Sequence, residues 1–230
     1  EEQLTRSEQS NDKTSTIARL QAATDENSNC LSKQQVIDNV LLLMFAGSET
    51  SASTLGVLAV LLGLHPDIFA QLKEEQEQIV SKHGNDLTAE ILNSCTLLDA
   101  VVNEAMRIKP VSTGGSRTVD DTLVVDGFQI PKGWSVAFSI SLTHLLDPVT
   151  FREDGAHMDL KKGFCPMRWF DASTRPSEFL PFGAGPRSCI GKTLAIAEIK
   201  VFLCELLRRS AISFHPRRMS ATDCLPGIQR

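Results

Sequence analysis

Six cysteines (Cys30, Cys95, Cys165, Cys189, Cys204 and Cys224) are spread through 230 residues without one C-x-x-C pair. That spacing argues against a zinc module or a disulfide scaffold and points to a reducing compartment. Basic runs are also missing. With a formal charge of −5 and no lysine–arginine stretch to track a phosphate backbone, nucleic acid is not the expected partner. There is no signal-peptide pattern. The chain opens on a glutamate in polar sequence, which reads as a piece of a longer protein, with a processed or trimmed chain as the alternative. An unbroken apolar span is lacking too. Val40 to Leu64 has the length of a bilayer crossing, which needs about 20 apolar residues. Its middle, however, is "GSETSAS", where a glutamate and several hydroxyls would sit in the driest region. The stretch is therefore expected to be a buried helix of a soluble domain. What remains is ordinary globular composition, 42% hydrophobic and 22% charged, enough for one domain with a core.

Residues 1–30 are rich in Ser, Thr, Asn, Gln and Glu and read as a polar lead-in, with one short helix near Ile17 to Ala22. Ser32 and Gln35 form a capping-box signal, S-x-x-Q, ahead of an apolar run. A helix of roughly 30 residues follows, against a usual length of about 11. Pro66 ends it and suits the first turn of a second helix, which closes on Gly84. A third is expected from about Leu97 to Lys109, stopping before Pro110. The period then changes: "LVVDGFQIPKGWSVAFSI" reads as strand, Asp-Gly turn, strand and a further extended run. Residues 147–180 carry Pro, Asp, Lys and Gly without period. The stretch "CIGKTLAIAEIKVFLCELLRRS" is a patterned helix ending in basic residues. The tail holds a short strand signal, "AISF", and an "LPG" turn.

The densest signal is "LPFGAGPRSCIG", Leu180 to Gly191. Cys189 stands where a helix begins, and free N–H groups with the positive end of the helix dipole favour a thiolate there. Gly183, Gly185 and Gly191 remove side-chain bulk, so a large flat group can approach the backbone. Arg187 is a fixed cation suited to a carboxylate. Together these suit haem, sulfur to iron and arginine to propionate. A buried structural thiol is the commonest alternative but leaves the glycines and the arginine without a reason. A nucleophilic cysteine needs a histidine base, which no neighbour in sequence provides.

F-x-x-G-x-R-x-C-x-G, filled by Phe182, Gly185, Arg187, Cys189 and Gly191, resembles the haem-thiolate loop of the cytochromes P-450. Further motifs follow in that family's order. Glu104 and Arg107 in "NEAMRIKP" lie on one helix face. Alone they would be a surface pair contributing about 0.2–0.5 kcal/mol. The resemblance instead implies a buried structural triad completed by Arg168 of "FCPMRW", which matches F-x-P-x-R-W. "AGSET" resembles A/G-G-x-D/E-T. Its Ala46 and Gly47 would let a flat cofactor approach the helix axis, and Glu49 and Thr50 would belong to the proton relay of oxygen activation. Taken alone, it is a polar stripe in a helix. "DGFQIPKGW" matches the family's G-x-x-I-P-K-G hairpin. Arg117 offers either a second propionate contact or a solvated surface charge. His65, His83, His144, His157 and His215 show no ligand spacing and read as surface or packing residues. Cys165 is expected to be inert. The segment "IKPVSTGGSR" departs from the leucine and paired prolines of many members, so it gives no guide to substrate.

The resemblance implies a mainly α fold with small β elements, the C-terminal part of the cytochrome P-450 fold. Residues 31–230 would be the haem-binding part of a single domain. The family's N-terminal half, with its membrane anchor and most substrate-recognition loops, is expected to lie outside this chain. The implied activity is a haem-thiolate monooxygenase using haem b, which inserts one atom of O₂ into an apolar small molecule such as a sterol, retinoid, terpenoid or fatty acid. The implied electron donor is an NADPH-dependent flavoprotein reductase or a ferredoxin. The implied location is the cytosolic face of the endoplasmic reticulum membrane. The alternatives are a haem-thiolate isomerase or dehydratase working without O₂, and a truncated, non-catalytic product.

Overall fold

The computed structural model describes residues 15–210, so "AISF", the "LPG" turn, His215 and Cys224 lie outside the described residues. The chain divides into two compact units, Glu1–Thr50 and Ser51–Arg230.

In the first unit, Ser15 accepts a hydrogen bond from Ala18 N and starts α1, Thr16–Ala22. Asp25 then folds the chain back by accepting from the amides of Asn27 and Asn29. The capping box forms reciprocally. Ser32 Oγ accepts from Gln35 N at 3.3 Å, and Gln35 Oε1 accepts from Ser32 N at 2.8 Å. It opens α2, Lys33–Leu64, a continuous 32-residue helix that crosses from one unit into the other. By length and composition α2 is long and apolar enough to cross a membrane.

The second unit is built on the C-terminal half of α2 with α3 (Pro66–His83), α4 (Ala89–Ser94), α5 (Thr96–Ile108) and the last helix, α7 (Lys192–Arg209). Pro66 occupies the first turn of α3, where its missing N–H is no loss, and Gly84 closes that helix at φ 76°. Leu58, Leu61 and Leu62 of α2 pack with Leu72, Leu98, Val101, Leu203 and Leu207 in one core. Helix α5 has no side-chain cap of its own. Glu75 of α3 supplies it, accepting from Leu97 N at 2.6 Å and Leu98 N at 3.1 Å. Burial, opposed by those amides, raises the Glu75 carboxyl above its ordinary range. Buried Lys200 pairs with Asp99 at 2.6 Å and ties α7 to α5.

Between α5 and α7 lie two small antiparallel sheets. Strands β2 (Leu123–Val125) and β3 (Phe128–Ile130) form the expected hairpin. Both residues of its turn, Asp126 at φ 48° and Gly127 at φ 82°, are left-handed, as a tight two-residue hairpin requires. The extended run beyond Gly133 becomes β4 (Ser135–Ser139), which pairs with β1 (Gly114–Thr118) in the register Gly114↔Ser139 to Thr118↔Ser135. Strand β1 has no strand pattern in sequence. It exists because two glycines allow close approach to β4: a Cβ at Gly114 would lie 2.1 Å from the Phe138 carbonyl oxygen. Helix α6 (Ile140–Leu145) is capped by Ser139 Oγ, and residues 147–180 run irregularly with short 3₁₀ turns at Ala156–Met158 and Pro166–Phe170.

The architecture is mainly α with small β elements, as the sequence implies. One expectation needs correcting. Most of the N-terminal half of α2 is exposed, Val36 excepted. Leu41, Leu42, Met44 and Phe45 are 59–69% exposed, and the α2 residues in the core cluster, Leu58, Leu61 and Leu62, all lie in its C-terminal half.

Candidate functional site

Glu104 and Arg107 leave α5 on one face, three residues apart, and both are completely buried. The Glu104 carboxylate accepts five hydrogen bonds. Arg107 grips it with Nη2 on Oε1 and Nε on Oε2, both at 2.9 Å. Arg168 Nε reaches Oε1 at 2.9 Å, the Cys165 amide reaches Oε1 at 3.0 Å, and Trp169 Nε1 reaches Oε2 at 3.0 Å. Arg107 Nη2 also donates to the carbonyls of His157 (2.8 Å) and Gly163 (3.3 Å), and Arg168 Nη2 shares the latter at 3.3 Å. Residues 61 to 65 positions apart in sequence are thus pinned to one carboxylate, and the 3₁₀ turn Pro166–Phe170 is fixed against α5. No backbone ladder runs through this stretch. The buried charges supply its order instead.

Gly163 is part of this arrangement. A Cβ there would meet the carbonyl oxygens of Ala156 and His157 at 2.5 Å. Sequence reading gave Gly163, His157 and Trp169 no role, since each acts through contacts that spacing does not report.

The cysteine loop closes on itself. Gly183 N donates to Leu180 O (2.9 Å), Ser188 N to Gly185 O (3.0 Å) and Cys189 N to Phe182 O (2.9 Å). Gly183 and Gly185 turn the chain at φ 69° and 70°, a region costly to residues with a side chain. Cys189 stands two residues before Gly191, the N-cap residue of α7, and not within the helix; its amide is already engaged by Phe182. Its thiol is free and exposed. Ile190 is 91% exposed beside it, Arg187 is also exposed, and among the described residues no ion pair engages Arg187. Phe182 is half-buried, with the Lys192 ammonium 5.9 Å from its ring centre.

These residues fit a haem-thiolate site. The exposed Cys189 thiol offers sulfur to a metal, and no group of three or more His, Cys, Asp and Glu among the described residues could hold an ion by itself. A cysteine sulfur beside open backbone and an arginine without an ion pair would suit an iron whose other ligands come from a macrocycle.

The segment leading into this loop is held by two side chains that sequence reading did not single out as site residues. His144 of α6, fully buried, reaches Arg107 O through Nδ1 (3.1 Å) and receives Leu180 N on Nε2 (3.0 Å). Burial, together with the Arg107 charge, pushes its pKa below the ordinary 6.5. Asp147, also fully buried, accepts from Ser177 Oγ (2.9 Å), Glu178 N (2.7 Å), Thr150 N (2.9 Å) and Val149 N (3.1 Å). Burial opposes its ionisation, yet those donors outweigh it and hold the carboxyl below its ordinary 3.8.

Arg117, on β1, is exposed, donates to the Ser116 carbonyl (2.7 Å) and lies 5.3 Å from the Phe138 ring centre. Ala46, Gly47, Glu49 and Thr50 belong to the first unit and are exposed on α2. Thr50 Oγ1 donates to Ala46 O at 2.7 Å, a helix back-bond.

The family model described as Cytochrome P450 matches residues 1–228, reaching further toward the N-terminus than the motifs do. Mouse cytochrome P450 26B1 is 35% identical over 211 residues, covering 87% of this chain and 40% of that protein. Ent-kaurenoic acid oxidase 2 of Arabidopsis thaliana is 32% identical over 217 residues, covering 90% and 43%. Among solved structures, retinoic-acid-bound cyanobacterial CYP120A1 matches with a TM-score of 0.75 at 36% identity, covering 89% of this chain and 45% of that one. The chain thus spans about two fifths of the length of the curated relatives it matches. With a family model matched almost end to end and an arrangement of cysteine loop, arginines and hairpin in the same order, the chain belongs to the cytochrome P450 family.

Proposed function

We propose that this chain is the haem-binding part, residues 31–230 behind a polar lead-in, of a monooxygenase that inserts one atom of O₂ into an apolar small molecule. The observation that carries the reading is the exposed, free Cys189 thiol in a closed glycine loop ahead of α7. Cys189 would hold haem b through its sulfur and Arg187 would be a propionate partner, with Arg117 a second. Phe182, Gly185 and Gly191 would shape the loop that holds the haem, and by the family resemblance Ala46 and Gly47 would leave room for a flat cofactor to approach α2. When bound, the haem supplies oxygen activation, with the thiolate's electron donation favouring O–O cleavage.

The remaining work falls to side chains. Thr50 Oγ1 donates a hydrogen bond to the Ala46 carbonyl, which anchors the hydroxyl and leaves its lone pairs to act as acceptors. Glu49, exposed next to it, takes up protons from solvent and hands them on. Glu104, Arg107 and Arg168 hold the segment under the cysteine loop and take no part in the chemistry.

The substrate we infer is a retinoid or terpenoid. The support is the retinoic acid bound in the CYP120A1 structure and the ent-kaurenoic acid named for the plant relative. Electrons would come from an NADPH-dependent flavoprotein reductase or a ferredoxin, and the enzyme would work at the cytosolic face of the endoplasmic reticulum membrane. The test is turnover of retinoid and diterpenoid acids by the full-length protein with reductase, NADPH and isotopically labelled O₂. Product carrying one labelled oxygen supports the reading. A substrate rearranged without O₂ or NADPH overturns it in favour of an isomerase or dehydratase.

A further inference from the structure

Helix α6 ends two residues before Asp147, and its last turn carries His144. The two side chains hold one short stretch of chain: Asp147 takes the Ser177 hydroxyl and the Glu178 amide, and His144 takes the Leu180 amide. The chemistry of each contact fixes its direction. The Leu180 N–H can only donate, so Nε2 of His144 is the acceptor and carries no proton. Nδ1 then carries the proton and donates to the Arg107 carbonyl. That carbonyl lies in the last turn of α5, where no further helical N–H follows to satisfy it. His144 therefore bridges the end of the helix that carries Glu104 and Arg107 to the start of the cysteine loop. Its ring lies 5.5 Å from Phe179 at 27°, and Phe179 meets Trp169 edge-on at 4.6 Å, so the bridge is also walled by aromatics.

From Leu180 the path to the thiol is short. Leu180 O accepts from Gly183 N, and Phe182 O accepts from Cys189 N. Backbone placed at 177–180 is backbone placed at Cys189.

We propose that His144 and Asp147 are positioning residues for the cysteine ligand, clamping Ser177–Leu180 so that the loop presents Cys189 Sγ at one fixed place relative to α5. The proposal rests on the haem-thiolate reading and deepens it. His144 touches neither Cys189 nor any of the loop's exposed face. It acts through one donated and one accepted hydrogen bond; an asparagine, whose amide nitrogen overlays Nδ1, can keep the donation to the Arg107 carbonyl but stops short of Leu180 N. A leucine of similar bulk supplies neither.

The test compares full-length wild type with His144→Leu, His144→Asn and Asp147→Asn. Two measurements are made at matched haem content: the thiolate-type fraction of the reduced carbon monoxide spectrum, and hydrogen exchange of the 177–180 amides by mass spectrometry. The leucine variant is expected to lose most of the thiolate-type fraction. Its 177–180 amides should exchange about fivefold to tenfold faster, the effect of one buried hydrogen bond, while α5 and α7 stay protected. The asparagine variant at 144, which keeps only the Arg107 contact, and Asp147→Asn should both fall between wild type and the leucine variant.

A leucine variant that keeps the wild-type spectrum and protection overturns the clamp. So does an asparagine variant as impaired as the leucine one, which would mean that the tie to the Arg107 carbonyl places nothing. If the leucine variant does not accumulate, wild-type exchange decides: 177–180 amides as fast as a free loop overturn the proposal, and protection like that of α5 supports it. A wild type with no thiolate-type spectrum overturns the haem-thiolate reading itself and the clamp with it.

Discussion

Replacing Glu104 by glutamine removes one charge and changes almost nothing in shape, so its effect isolates the electrostatics of the buried cluster. The carboxylate accepts from Arg107 twice, and from Arg168, Trp169 and the Cys165 amide once each. An amide has one acceptor oxygen, and its NH₂ would face N–H donors on whichever side it lies. Arg168 has a side chain 16% exposed and can recover some hydration. Arg107, at 0%, cannot, and is left as a buried charge without a counterion. Removing one partner of a buried pair costs about 3–5 kcal/mol. That is a large share of a total stability of about 5–15 kcal/mol. A solvated i,i+3 pair would contribute only about 0.2–0.5 kcal/mol. The two descriptions differ by roughly tenfold in energy, and urea unfolding of the full-length protein, followed by far-ultraviolet circular dichroism with haem absorbance in parallel, separates them. A loss of about 3 kcal/mol moves the midpoint by on the order of 1 M for an m-value of about 1–3 kcal/mol/M. A shift under about 0.5 kcal/mol would refute the reasoning, since it would mean that Arg107 finds water or another anion in the native state.

Four further outcomes are expected. Gly163→Ala should destabilise the protein by about 1–3 kcal/mol by thermal unfolding, because the new Cβ meets two backbone carbonyls that have no room to move. Thr50→Ala should leave haem bound but uncouple O₂ consumption from product, measured by oxygen electrode and product assay; unchanged coupling would remove Thr50 from the relay. His144 binds a proton less readily folded than unfolded, so its contribution is complete above 6.5 and declines as pH falls through the lower folded value. Arg107 and Asp147 are the charges acting on it. Thermal midpoints should therefore fall on acidification below 6.5, and His144→Asn should flatten that dependence. The 230-residue chain expressed alone should self-associate and bind a hydrophobic dye, with Leu42, Met44 and Phe45, 62–69% exposed, as the source. Serine at these three positions should reduce both signals.

Local chemistry was legible because its partners are close in sequence. Ser32 and Gln35 cap α2, Pro66 starts α3, Gly84 ends it, and Asp126–Gly127 turns the hairpin, each through neighbours within a few residues. The cysteine loop was legible for the same reason, since its glycines and its thiol lie within one short stretch. The short helices α4 and α6 were not, because six residues give too little period, although Thr88 and Ser139 cap them in the ordinary way. Strand β1 carries two glycines and depends wholly on β4 for its pairing. Long-range too are the contacts that order 147–180: His144 with Leu180 across 36 positions, Asp147 with Glu178 across 31, Arg168 with Glu104 across 64. No spacing rule reads such pairs. A reading of Glu104 and Arg107 from helical spacing alone places them on a surface, and only the Arg168 motif argued otherwise. The exposure of Leu41 to Phe45 was missed because hydropathy measures what a helix could bury, not what covers it.

The central claim, that Cys189 is the thiolate of a haem site, is tested most directly by the reduced carbon monoxide difference spectrum of full-length wild type and Cys189→Ser. The account predicts a thiolate-type spectrum in the wild type and its complete loss in the variant. The same thiolate-type spectrum in the serine variant would contradict it.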